Sequence, residues 1–151
     1  MNEQPATTTT TRLSPHFTLE EMTASGTARR YAIDNTPQDV HIECLRNLCR
    51  TTLEPIRRRF GVLRITSGYR SPALNKRVGG ATGSQHTRGE AADIHVSDRD
   101  AALKMAEYVR HHVNYDQLIV EHRRSTGAYW VHVSCRLDAA KNRHEYLEQT
   151  V

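Results

Sequence analysis

His86 and Asp93 stand seven residues apart in SQHTRGEAADIHV, residues 84–96, and His132 follows in AYWVHVS, residues 128–134. Asp93 is the most informative of the three. It lies in an apolar stretch that reads as a strand, and burying a carboxylate there is costly unless it is paired or bound to a cation. Two imidazoles and one carboxylate are also the donor set of a catalytic zinc site, with three protein ligands and a fourth position left for water. The residue types therefore suggest metal-assisted hydrolysis, provided that the fold brings a loop histidine and two strand residues together.

The chain carries nine histidines, and most read as something other than ligands. His111 and His112 close a helix, where a cation complements the helix dipole. His16 and His144 sit near the ends, and His41 is on an early helical turn. His95, two residues after Asp93, shares its face of the strand. It is either a fourth ligand, which would close the site, or a residue facing substrate.

The elements that must position these residues follow from periodicity. HFTLEEM begins the ordered chain, with Thr18 and Glu21 at capping-box spacing. Thr36-Pro37 reads as an N-cap followed by a first-turn proline. Leu45, Cys49, Leu53, Ile56 and Phe60 recur at helical spacing, and Pro55 should kink or split that helix near residue 54. VLRIT (62–66) reads as a strand. SGYRSPALNKRVGGATGS (67–84) is a long structured loop with a short helical turn over residues 73–77, of the length and polarity that usually serve function.

EAADIHV returns to strand. A helix starts at Ser97 to Asp100 and buries Ala102, Ala106, Val109 and Val113. YDQLIVE (115–121) and AYWVHVS are strands joined by the turn RRSTG, a hairpin. LDAAKNRHEYLEQTV (137–151) reads as a short surface helix or a frayed end. The class is α+β, an antiparallel sheet flanked by helices. Residues 1–12 form a disordered leader, 13–137 one domain, and 138–151 a C-terminal tail.

With 151 residues, 37% hydrophobic and 25% charged, the chain suits one soluble domain. No apolar run approaches the roughly 18 residues that span a bilayer. Three cysteines (Cys44, Cys49, Cys135) without CxxC spacing argue against a disulfide framework or a thiolate zinc site. The net charge of +4 is spread along the chain without a basic run interleaved with aromatics, which argues against nucleic acid and leaves room for an anionic polymer such as a cell wall.

The run ITSGYRSPALNKRVGGATGSQHTRGEAADIHV, completed by WVHVS, resembles the zinc murein peptidases of the M15 family. FTLEEMTAS, IDNTP and LEPIRRRFG extend the likeness over residues 16–136. The resemblance implies a hedgehog/DD-peptidase-like fold and one zinc ion per chain on His86, Asp93 and His132. It also implies hydrolysis of D-Ala-D-Ala or L-Ala-D-Glu bonds in peptidoglycan. That ligand set is complete without His95, which favours the substrate-facing alternative for it. Arg70 matches the family arginine, suited to binding a carboxylate or stabilising an oxyanion. Ser84 and Gln85 match the SQH motif, as substrate contacts or loop pins, and Trp130 shares a face with His132 as a cleft wall or a core residue.

The likeness fails at the general base. Many relatives carry an acid three residues before the second histidine, where this chain has Tyr129. Glu121 is the expected replacement, since the RRSTG hairpin would set it across from the strand of His132, where it could shuttle a proton from attacking water to the leaving amine. Asp116 is the weaker candidate. A MNEQPATTTTTRLSPH start without an apolar core shows no Sec-type signal. The expectation is therefore a monomer made in a cytoplasm, a phage or prophage endolysin reaching the wall by holin release or on a virion. Its partner would be the peptidoglycan peptide, with no nucleic acid and no membrane insertion. The missing acid at Tyr129 also keeps open a non-catalytic zinc-binding interaction or virion structural protein on the same fold.

Overall fold

The computed structural model describes residues 11–151, so residues 1–10 of the expected leader lie outside it. Arg12 is already ordered. It begins β1 (Arg12–Ser14), which pairs antiparallel with β2 (Phe17–Thr18). Thr18 then caps α1 (Leu19–Thr23) by accepting the Glu21 N–H, as the capping-box spacing suggests. Ser25 caps α2 (Gly26–Arg30) in the same way.

The long amphipathic stretch becomes α3 (Asp39–Leu48), a π turn over Cys49–Leu53, and α4 (Glu54–Phe60). Pro55 explains the wide turn. It has no N–H to donate and its ring crowds the preceding carbonyls, so the backbone slips to an i→i−5 bond from the Glu54 N–H to the Cys49 carbonyl. The helix starts later than Thr36-Pro37 suggests, because Asp34 engages both the N–H and the hydroxyl of Thr36 and leaves it no role as a cap. Gln38 takes that place.

Five strands form the main sheet in the order β3-β4-β6-β5-β7. They are β3 (Arg64–Ser67), β4 (Ala91–Val96), β5 (Gln117–His122), β6 (Tyr129–Ser134) and β7 (Glu145–Thr150). β3, β4, β6 and β5 run antiparallel to their neighbours, whereas β7 pairs parallel to β5. The C-terminal segment forms an exposed 3₁₀ turn over Ala139–Lys141, in keeping with a short surface helix, but Glu145–Thr150 is an edge strand of the sheet rather than a frayed end. Between β3 and β4 lie α5 (Pro72–Arg77) and a 3₁₀ turn, Gln85–Arg88; α6 (Arg99–His112) links β4 to β5 and is capped by Asp98 rather than Ser97.

Side chains alternate between the two faces of a strand, and here the faces differ in chemistry. Ala92, Ile94 and Val96, Leu118 and Val120, and Val131 and Val133 join one core with Leu45, Leu48, Leu53 and Ile56 and with Ala102, Ala106 and Val109 of α6. Each fully buried leucine or isoleucine contributes about 1.5–3 kcal/mol. The intervening residues (Asp93 and His95, Ile119 and Glu121, Trp130 and His132) face the other way. One face holds the sheet on its helices, and the other is free to carry a site.

Candidate metal centre and its cleft

Sheet register sets two of the three expected ligands side by side. Asp93 of β4 is the cross-strand partner of His132 of β6, and the His132 Nδ1 lies 3.0 Å from Asp93 Oδ1. The third comes from the loop. Ser84 caps the 3₁₀ turn by accepting the His86 N–H, and Gly89, in the left-handed region at φ +75°, ends it. Those caps fix His86, which is 2% exposed, against the sheet. His86, Asp93 and His132 each offer a ligand atom, all within 4.8 Å of one another.

The protonation pattern fits a cation. His86 Nδ1 lies 2.7 Å from the carbonyl oxygen of Gly68, which can only accept, so Nδ1 carries the proton. Burial pushes the His86 imidazole below its ordinary pKa against the pull of Asp93, so Nε2 is left as a lone pair. That atom is buried, finds no hydrogen-bond partner, and faces Asp93 Oδ1 at 3.4 Å. Burial alone would raise the Asp93 carboxyl, but the hydrogen bond with His132 Nδ1 opposes it, and the carboxyl stays below the usual carboxylate range. An acceptor facing a carboxylate without a hydrogen between them is the arrangement a metal ion satisfies.

Gly68 was not singled out by sequence reasoning, although it lies within the quoted SGYRS. A Cβ there would collide with the Met22 carbonyl, whose oxygen accepts the Tyr69 N–H, so only glycine lets this backbone reach His86. Asn35, inside IDNTP, holds the same loop. Its amide donates to Thr23 O and Tyr69 O, and its oxygen accepts the Ser71 N–H.

Glu121 shares the sheet face of the metal group. It pairs across with Trp130, diagonal to His132, and forms no ion pair with Arg123 or Arg124. Arg123 instead lies over the Trp130 ring, 5.3 Å from its centre. Burial and then the nearby Asp93 charge raise the Glu121 pKa, with His132, Trp130 and Arg70 opposing. Tyr129 faces the other side of the sheet, where it stacks on His122. In this register an acid at position 129 would point away from the ligands.

Two adjoining hollows of about 370 and 610 Å³ meet at this group, and Arg70, Asp93 and Glu121 line both. Trp130 walls the smaller one, and His86 and His132 open into the larger. Arg70 is anchored by its Nη1, which donates to Asn75 Oδ1 at 3.2 Å, and by its N–H to the His86 carbonyl. Its Nε is buried without a partner.

Other candidates take different places. Gln85 is buried and donates to Asp116 Oδ2, so its amide pins the loop. Ser84 does the same through its cap. Asp116 is fully buried, takes hydrogen bonds from Gln85 and Arg143 and lies in an ion pair with Arg136, and these hold it as an anion turned to the protein rather than as a base. His95 is exposed opposite Trp130 and stands outside the group.

The family model described as Peptidase M15 matches residues 15–134, a span that includes all three ligands, Arg70 and Glu121. The chain belongs to the M15 peptidase family. No curated protein matches it. M15 peptidases are zinc-dependent, and this member's His86, Asp93 and His132 form a group that can hold the ion. The α+β architecture, a sheet with flanking helices, agrees with an M15 fold. No described helix is long and apolar enough to cross a membrane.

Proposed function

We propose that this M15 peptidase hydrolyses a peptidoglycan stem-peptide bond, D-Ala-D-Ala or L-Ala-D-Glu, with zinc on His86, Asp93 and His132 and Glu121 as general base. The observation that carries the reading is the placement of Glu121 on the ligand face of the sheet, at the junction of the two hollows. Bound zinc supplies Lewis acidity, acidifying a water and polarising an amide carbonyl.

The protein's own groups supply the rest. Neutral His86 Nε2, ionised Asp93 and His132 Nδ1 form the donor set. Glu121 accepts a proton from the attacking water and hands it to the amide nitrogen as the C–N bond breaks. Arg70 offers positive charge to the oxygen that becomes anionic, or to a substrate carboxylate. Trp130 and Tyr69 wall the smaller hollow against the peptide.

A monomer acting as a phage or prophage endolysin, reaching the wall by holin release or on a virion, is the setting we favour for such an activity. The spread positive charge would help it on an anionic wall. Purified murein incubated with zinc-loaded protein tests the reading. New amino termini should appear with wild type, vanish on chelation, return with zinc, and be lost in Glu121→Ala. A wild type that releases none would overturn the peptidase reading; activity retained by Glu121→Ala would overturn only the choice of base.

A further inference from the structure

The larger hollow ends in a pair of arginines that the hydrolytic scheme does not use. Arg136 follows β6 and Arg143 precedes β7; both line the hollow into which His86 and His132 open. They converge on Asp116, which is fully buried. Arg143 donates through Nε to Oδ1 at 3.1 Å and through Nη2 to Oδ2 at 2.9 Å, and its backbone N–H reaches Oδ1 at 2.7 Å. Arg136 Nε lies 3.1 Å from Oδ2. Gln85 donates to the same Oδ2 at 2.9 Å, so the arginine pair is linked through Asp116 and Gln85 to the turn that presents His86.

Two guanidiniums on one carboxylate leave an uncompensated positive charge at the wall of the hollow. Hydrogen bonds to Asp116 hold Arg143, and Arg136 stands beside the same carboxylate as an ion pair; Nη1 of Arg143 and every side-chain nitrogen of Arg136 enter no hydrogen bond among the described residues. Guanidinium N–H groups lining a cleft are suited to a planar anion, and Arg143, already fixed on Asp116, has less rotamer freedom to lose on binding. Arg88, which also lines this hollow, pairs with Glu90 and adds no free charge.

We infer that Arg136 and Arg143 form a carboxylate-binding subsite that selects stem peptides carrying a free carboxylate beside the scissile amide, over their amidated forms. The inference rests on the peptidase reading for the nature of the substrate, but not on turnover. Recognition by Arg136 and Arg143 is separate from Arg70, which sits at the junction of the hollows.

The test uses zinc-loaded Glu121→Gln, so that binding is read without turnover. Trp130, the single tryptophan of the chain and a wall of the adjoining hollow, serves as the fluorescent reporter. Three stem peptides are compared: one with its internal glutamyl carboxylate and its C-terminus both free, one amidated only at the internal carboxylate, and one amidated only at the C-terminus. One of the two amidations should weaken binding about tenfold or more, and which one does so identifies the recognised group. Arg143→Gln and Arg136→Gln should each abolish most of that difference while leaving the affinity for the sensitive amidated peptide unchanged. Equal or undetectable binding of all three peptides overturns the inference even if the arginine variants fold poorly, and so does a difference that survives both substitutions. Cleavage of the same peptides by wild type is scored separately: selective binding without cleavage would remove the peptidase reading and keep the subsite, and unselective cleavage would do the reverse.

Discussion

Asp93 lines the cleft and Asp116 is buried behind its arginine wall, and their surroundings are opposite. Asp116 is surrounded by donors: two arginines, a glutamine amide and a backbone N–H close on its two oxygens. Asp93 is flanked by two histidines, one of which turns an unprotonated, unpartnered nitrogen toward it. The first carboxylate finds its partners within the protein, whereas the second, on the reading proposed above, would be completed by a cation. On the proposed reading the two acids divide into a structural strut and a metal ligand, and what separates them is the lone pair that His86 Nε2 turns toward Asp93.

The largest effect should come from Glu121, the proposed base beside Asp93. Glu121→Gln keeps shape and removes the proton acceptor, so kcat should fall by ~10²–10⁴-fold, with zinc binding and melting temperature close to wild type. Stopped assays on murein together with thermal melts would check both halves. Asp116→Ala should show the reverse profile. Leaving Arg136 and Arg143 without their counter-charge should cost about 3–5 kcal/mol of stability, read as a shift in denaturant midpoint at unchanged zinc stoichiometry. The Arg143 side chain is partly exposed, which favours the lower end of that range.

How much of this contrast the sequence discloses is uneven. The meeting of His86, Asp93 and His132 is legible because the cost of an acid in AADIHV points to a cation, and the alternation of β4 and β6 then dictates which side chains share a face. Glu121 is legible because RRSTG closes a hairpin whose register follows from the strand pattern. The partners of Asp116 are not: Arg143 lies 27 residues away, in a segment whose polarity gives no strand signal. HEYLEQT becomes β7 only because the open edge of β5 offers it unpaired backbone groups, and an edge strand with one face toward solvent needs few apolar residues. The early cap at Thr36 is lost for a local reason, the nearer carboxylate of Asp34.

A moderate effect should separate the two acids on metal removal. Chelation should lower the melting temperature of wild type, since a ligand held at about 100 times its Kd contributes about 2.7 kcal/mol. It should leave Asp93→Asn unmoved, because that variant has no site to empty. Scanning calorimetry with and without chelator would read the difference.

The smallest effect is on pH. Burial would raise the Asp116 carboxyl, but Arg143 and Arg136 outweigh it and depress its folded pKa. The stability this gives is fully present above the unfolded carboxylate value of about 3.9, and it is lost as pH falls through the depressed folded value. Chemical denaturation of the chelated protein between neutral pH and about pH 3 should show that acid slope, shallower in Asp116→Asn. For Glu121 the direction in the metal-free protein is opposite, raised by burial and by the Asp93 charge, and Glu121→Gln should remove the acid limb of kcat/KM from any residual activity.

The most direct test of the account is an equilibrium zinc titration of the metal-free protein, run side by side on wild type, Asp93→Asn and Asp116→Asn. The account predicts one zinc ion per chain in wild type, affinity weakened at least about 100-fold in Asp93→Asn, and an unchanged stoichiometry of one in Asp116→Asn. A wild type that binds no zinc, or zinc binding that survives intact in Asp93→Asn, would contradict it.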